Sequence, residues 1–223
     1  MAQKVVISIG GSVLASPTPR LEYITAFSNL LVALRGEGYK LLVVVGGGKI
    51  ARDYIAYARE LEAGEQLCDE VGIAATRMNA MLLCAALGEN TSGVSRTFEG
   101  ACESEKIFVM GGLKPGQTTD AVAAELAARC NADLLLDVTD VDGIYDSDPK
   151  KTPGAKKFDS LSYEELLKMV SNEHTAGVNT IIDPTAVRII RDKKIKTIVL
   201  NGMKLENIEK AIKSEESIGT TIE

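Results

Sequence analysis

Residues 41–52 read LLVVVGGGKIAR: five apolar residues, three glycines, then Lys49 and, three positions on, Arg52. The apolar run predicts a strand covered on both faces, and the glycines predict a turn into a helical-period segment at 49–62. Such a turn leaves backbone N–H groups free beside a helix N-terminus, a place that suits an anion. Three occupants are open at this stretch: a dinucleotide, the phosphates of a nucleoside triphosphate, or a phosphate on an acceptor.

Outward from it, short runs rich in β-branched residues recur at 4–9 (KVVISI), 106–110 (KIFVM), 132–138 (ADLLLDV) and 195–200 (IKTIVL). Helical-period segments at 21–35, 68–87, 118–130, 162–170, 184–193 and 204–213 separate them. Continuous apolar strands alternating with helices predict an α/β fold, a three-layer α/β/α sandwich on a mainly parallel sheet. Segment 70–87, EVGIAATRMNAMLLCAAL, is apolar nearly all round, which fits either a central core helix or a subunit interface. Segments 139–157 and 171–183 read as polar loops, and His174 in the second as a solvated or capping residue. One domain is expected over 1–223, with a weak division near residue 120.

The 223 residues are 45% hydrophobic and 25% charged, without tryptophan, an ordinary composition for a soluble globular protein. A formal charge of −6 argues against broad nucleic-acid binding, which needs a basic surface. An anionic ligand must then be held by local positive potential. Cys68, Cys84, Cys102 and Cys130 are widely spaced and there is a single histidine, so a zinc site is not expected and reduced, buried thiols are. The first strand begins after three residues, leaving no room for a signal peptide, and no apolar run suggests a membrane span. A cytoplasmic protein without a membrane partner is the expectation.

Three glycine turns follow predicted strands: IGGS at 9–12, GGGK at 46–49 and GGLKPGQTTD at 111–120. One such turn is explained by backbone geometry alone. Three at one sheet edge suggest ligands, because open α/β sheets bind them at the carboxyl ends of their strands. The dinucleotide motif G-x-G-x-x-G/A fits 46–51 formally, but needs an acid about 20 residues on, at the end of a strand. Glu65 and Asp69 lie near that distance in EAGEQLCDE, which does not read as a strand. The P-loop needs Ser or Thr after its lysine, and Ile50 stands there.

In the third turn, Pro115 and Gly116 lead to Thr118, Thr119 and Asp120 at a helix start. A cap accounts for one of these three residues. Together, two hydroxyls and free helical N–H groups make a phosphate or nucleoside seat, with Asp120 set to orient cations. The loop TDVDGIYDSDPKK at 139–151 adds Tyr145, able to lie against a purine, and lysines able to reach a polyphosphate.

IGGSVL, VVVGGGKIAR, VMGGLKPGQTTDAVAA, TDVDGIYDSDPKK and IIDPTAVRII, in this order, resemble the amino acid kinase superfamily, most of all its archaeal-type uridylate (UMP) kinases. The similarity runs from the first strand to GTTIE at 219–223. The resemblance implies ATP-dependent phosphorylation of UMP to UDP with Mg²⁺, by direct transfer, in a homohexamer built from dimers. It implies that Gly11, Ser12, Gly48 and Arg52 meet the ATP phosphates, and that Thr139, Asp140, Tyr145 and Asp148 hold the adenosine end. Gly47, Leu113, Lys114, Pro115, Gly116, Gln117, Thr118 and Thr119 would hold UMP, and Asp69 its ribose hydroxyls. The part of the chain up to about residue 120 would mainly bind the acceptor and the rest ATP. The metal would be carried by the nucleotide phosphates, without protein ligands.

One position departs from the superfamily pattern. Many members carry lysine two residues before the paired glycines, where this chain has Ser8. The cation for the transferring group is then Lys49, Arg52 or Lys150, organised by Asp120. Other readings are a superfamily kinase acting on isopentenyl phosphate, carbamate or an acyl carboxylate, and a non-catalytic nucleotide sensor. Isopentenyl phosphate kinases place a histidine in the helix after GGG, and this chain reads KIARDYIA there.

Overall fold

The computed structural model describes residues 2–171, 182–214 and 218–223. In chain order the elements are β1 (Lys4–Ile9), α1 (Gly11–Leu14), α2 (Leu21–Gly36), β2 (Lys40–Val45), α3 (Gly48–Glu60), α4 (Glu65–Leu87), β3 (Thr91–Ser95), β4 (Ile107–Met110) and α5 (Thr119–Cys130). They continue with β5 (Leu134–Thr139), β6 (Ser160–Leu161), α6 (Tyr163–Ser171), α7 (Pro184–Lys193), β7 (Thr197–Asn201), α8 (Leu205–Lys213) and β8 (Thr220–Ile222). Among the described residues, eight strands form one sheet in the order β3-β4-β2-β1-β5-β7-β8-β6, and only β7 with β8 pairs antiparallel. This is the expected α/β/α sandwich. The sheet runs unbroken past residue 120, since β5 lies directly beside β1.

The apolar strands are continuous because both faces are covered. Val5, Ile7 and Ile9 of β1 join the core under α2, α4 and α8, while Val6 joins the one under α5, α6 and α7. The pleat puts Ser8 on the second face with Val6, and Asp137 with Leu135. Strand register sets Ser8 and Asp137 side by side. These two polar residues stand where that apolar layer reaches the carboxyl edge of the sheet.

Several expectations change. Strands β3, β6 and β8 lie in segments with too few apolar residues to signal them, TSGVS, SL and TTI. α4 starts at Glu65, three residues before the apolar period becomes evident. By length and composition it is apolar enough to cross a membrane, against the expectation that no run is. In this fold it is a core helix, with Ala75, Ala80, Leu83 and Leu87 buried. Its opposite side stays uncovered, with Met78 and Met81 each 54% exposed.

The four thiols are not all free. Cys102 and Cys130 form a disulfide (S–S 2.03 Å), while Cys68 is buried and free and Cys84 is half-buried and free. The two partners are 28 residues apart in sequence. The β4–α5 crossover returns the end of α5 to the segment before β4, a juxtaposition that cysteine spacing does not encode. His174 and nearly all of loop 171–183 lie outside the described residues.

Candidate active site

The first two glycine turns are locked backbone to backbone. A Cβ on Gly11 would stand 2.1 Å from the Gly48 nitrogen, and one on Gly46 2.8 Å from the Gly11 nitrogen. Gly48 itself has φ +64°, a conformation natural to glycine. Part of the glycine content of IGGS and GGGK is therefore structural: two strand tips meet with no room for side chains. The meeting brings the start of α3 against α1, which carries Ser12.

Polar residues of α4 clamp the second and third turns together. Asn79 is buried and donates from Nδ2 to the carbonyls of Gly46 (2.9 Å) and Gly47 (3.2 Å). Thr76 Oγ1 accepts from the Gly112 N–H at 2.6 Å, and a Cβ on Gly111 would lie at the same 2.6 Å from it. Neither residue stood out in the sequence. Their signal is the pair of small polar residues inside an otherwise apolar helix, ATRMNAM.

Between the clamped turns lies a cleft of about 390 Å³. Gly47, Gly48 and Arg52 line it from the α3 side, Asp69, Gly72 and Thr76 from α4, and Gly112, Lys114, Gln117, Thr118 and Thr119 from the third turn. The predicted acceptor residues thus converge, apart from Leu113, Pro115 and Gly116, which shape the same loop. Asp69 accepts from the Gly116 N–H at 2.7 Å, fastening the loop to α4. Gln117 donates to Glu125 at 3.0 Å. Thr118 caps α5, its Oγ1 accepting from Ala121 N–H at 3.1 Å. The open start of α5 faces the cleft with its positive dipole end. Larger depressions of about 580 and 480 Å³ run along β3 and the 103–107 segment. Their linings mix both charges, Glu99, Glu103 and Glu105 with Arg35, Lys40 and Lys106, and neither takes in any of the three glycine turns.

Arg52 lines this cleft together with Asp69. The other candidate cations are paired: Lys49 Nζ with Asp53 at 2.6 Å along α3, and Lys150 Nζ with Asp140 at 2.8 Å. All are exposed enough for a ligand to recruit them. Thr139 ends β5, and the loop after it folds back through a bridge between Tyr145 and Lys157. Asp148 is buried, and its Oδ1 accepts from the Lys150 N–H at 2.9 Å. Thr139 and Asp140 stand at the β5 tip, and Lys150 ties the Asp148 turn to Asp140.

Among the described residues Asp120 makes no hydrogen bond or ion pair with Lys49, Arg52 or Lys150. Its hydrogen bonds come from Ser8 Oγ, at 3.1 Å to Oδ1, and from the Asp183 backbone. Burial pushes its carboxyl up to about 6, the Ser8 bond opposing, with the Asp183 charge adding to the rise. Asp137, which the sequence reading did not single out, is buried beside it. Burial first and the Asp120 charge second hold its carboxyl well above the ordinary range.

An open, mainly parallel sheet with anion-type turns and helix N-termini at one carboxyl edge defines an α/β protein that binds there. The model of the amino acid kinase family matches residues 3–201, and this chain belongs to that family. Among its relatives is a uridylate kinase of Methanocaldococcus jannaschii, 46% identical over 94% of this chain and 96% of the relative. A uridylate kinase of Archaeoglobus fulgidus is 47% identical over 98% of this chain and 99% of its own length. The crystal structure of uridylate kinase from Archaeoglobus fulgidus superposes with a TM-score of 0.88 at 45% identity, covering 99% of this chain and all (100%) of that one.

Proposed function

We propose that this protein transfers the γ-phosphoryl group of ATP to UMP, giving ADP and UDP, as a step of pyrimidine nucleotide biosynthesis. The full-length similarity to uridylate kinases supports the reaction. The observation that carries it in this chain is the acceptor cleft: Arg52 and Asp69 both line it, together with Thr118 and Thr119 at the start of α5. A nucleoside monophosphate fits that polarity, its phosphate toward Arg52 and the helix start, its ribose hydroxyls toward Asp69. Gly47, Lys114 and Gln117 to Thr119 complete the acceptor seat.

ATP would approach from the β5 tip, with its adenosine end against Thr139, Asp140, Tyr145 and Asp148. Its phosphates would lie over Gly11, Ser12 and Gly48. A UMP phosphate oxygen attacks the γ-phosphorus as the bond to the ADP oxygen breaks, with no phosphoenzyme. Such a transition state needs alignment and neutralisation more than covalent help. The locked glycine turns supply alignment, and backbone N–H groups with Arg52, Lys49 and Lys150 supply positive charge. No three metal-ligating side chains converge among the described residues. Mg²⁺ would accompany the ATP phosphates and screen their charge.

We also assign the uncovered apolar side of α3 and α4 to contact between copies of the chain. Leu67, Ala74, Met78, Met81 and Ala85 follow helical spacing along one exposed stripe of α4, and Tyr54 and Tyr57 on α3 and Leu61 just after it are exposed as well. Apolar exposure on this scale marks an interaction surface. A homohexamer, as the family resemblance implies, and a cytoplasmic location complete the reading.

The decisive assay gives purified protein ATP and Mg²⁺ with UMP, CMP or dTMP and follows ADP. UMP-dependent turnover is expected. Nucleotide binding by calorimetry without any product would identify a sensor instead.

A further inference from the structure

Asp137 interrupts an apolar strand, LLLDVT, on the face that packs against α5 and α7. It is 8% exposed, and among the described residues its Oδ2 has no hydrogen-bond partner. A buried carboxylate oxygen left without a donor is costly, so this atom calls for an explanation. The surrounding elements define what faces it. β1 offers Ser8, and β7 offers the apolar Val199. α5 offers Asp120, which in turn meets Asp183 at the head of α7, whose Oδ1 is engaged by the N–H groups of Thr185 and Ala186. No lysine, arginine or histidine among the described residues is ion-paired with Asp120 or Asp137.

The donors are distributed unequally. Asp120 receives the Ser8 hydroxyl and the Asp183 N–H, both of which favour its charged form. It also lies at the first turn of α5, where the helix dipole favours an anion, and it is half-buried where Asp137 is buried. Asp137 is deeper, lies within a strand, and has no donor for Oδ2. Two buried acids this close do not both ionise readily; one of them keeps its proton.

We propose that Asp137 is held as a neutral acid and acts as a positioning residue, so that the Asp120–Asp137 pair carries one negative charge, resident on Asp120. Burial and the Asp120 charge both push the Asp137 carboxyl up, as this requires, while the hydrogen bonds from Ser8 and the Asp183 backbone oppose the rise at Asp120. The functional consequence rests on the kinase reading: a second charge under the cleft would repel the phosphates and compete for the cations meant for them. The singly charged pair is then the working state. Protonating Asp120 removes the organising charge, and ionising Asp137 adds the repelling one. Turnover should follow a bell-shaped pH profile whose two limbs belong to the pair.

The test compares wild type with Asp137→Asn, which reproduces the shape and neutrality of the acid but cannot ionise. Near neutral pH the variant should keep kcat/KM for ATP within about threefold, retain the acid limb and lose the alkaline limb. The second arm needs no turnover: carbon-13 titration of the aspartate carboxyls in nucleotide-free protein, Asp137 being identified by the signal missing from the variant. That signal should stay in the protonated position through neutral pH. A variant profile that overlays wild type, or an Asp137 carboxyl ionising near the ordinary value of about 4, overturns the proposal. If wild type forms no UDP, the kinase reading fails, and the titration still decides the proton.

Discussion

Gly11 and Gly48 approach so closely that a Cβ on the first would lie 2.1 Å from the backbone nitrogen of the second. Nothing flexible stands between them, so an added methyl must push two strand tips apart. Forced overpacking costs about 1–3 kcal/mol where side chains can yield. Here only main chain can yield, and Gly11→Ala should reach the top of that range. Thermal unfolding should show a marked fall in midpoint, and UMP-dependent turnover should fall with it. An alanine variant with wild-type stability and rate would show that the turns are not locked.

Asp69 joins two requirements, since it fastens the Gly116 N–H and lines the acceptor cleft. Hydrogen bonds to charged groups contribute about 1.5–3 kcal/mol, roughly tenfold or more in affinity. Asp69→Ala should therefore raise KM for UMP by at least that factor and leave KM for ATP within about threefold. Equal effects on both would move Asp69 out of the acceptor site.

The Cys102–Cys130 disulfide closes a loop that contains β4, the third glycine turn and α5. Cross-linking partners 28 residues apart restricts the unfolded chain by about 3–4 kcal/mol on the chain-entropy account. The double variant Cys102→Ser, Cys130→Ser should unfold at clearly lower denaturant concentration. Thiol counting on unfolded, unreduced protein should find two reactive cysteines, because only Cys68 and Cys84 are free. A count of four would restore the reduced state expected from sequence.

How the chain announced these features depends on their range. The strands that build the centre of the sheet are legible because burial on both faces demands unbroken apolar runs. Strands β3, β6 and β8 were not, since edge and short strands need little apolar surface and leave no period to read. The glycine turns were legible as sites, but their mutual contact was not, because it joins residues 11 and 48 through the sheet. The same holds for the α4 clamp by Thr76 and Asn79, and for Ser8 beside Asp137. The disulfide and this pair share one cause of invisibility: each is created by strand order.

The exposed stripe of α4 yields a prediction on assembly. Met78 and Met81 project from the uncovered side, away from the cleft and the clamp. Replacing both with glutamate places charge in the proposed contact between copies. Sedimentation should then report a smaller species than wild type, with far-ultraviolet circular dichroism unchanged. A wild type that already sediments as a monomer would remove this surface from the account.

Buried acids also set how stability responds to pH. Asp120 is pushed up to about 6 from an unfolded value near 4, so between these pH values the folded chain holds a proton that the unfolded chain has lost. Its contribution is therefore most favourable at low pH and is lost as pH rises through about 6. Asp137 acts in the same direction and extends the penalty to higher pH. Asp137→Asn removes that second acid while keeping its volume. In nucleotide-free protein the variant should melt above wild type at pH 8, and the gap should narrow as pH falls toward 5. Carboxylates held low elsewhere, such as Glu125 beside Arg129 and Asp146 under the Lys156 N–H, destabilise both proteins alike on acidification. The difference between the two melting curves isolates the Asp137 effect from theirs. A gap that is constant across this range would mean that Asp137 is ionised in the folded chain as it is in the unfolded one, so that folding moves no proton there.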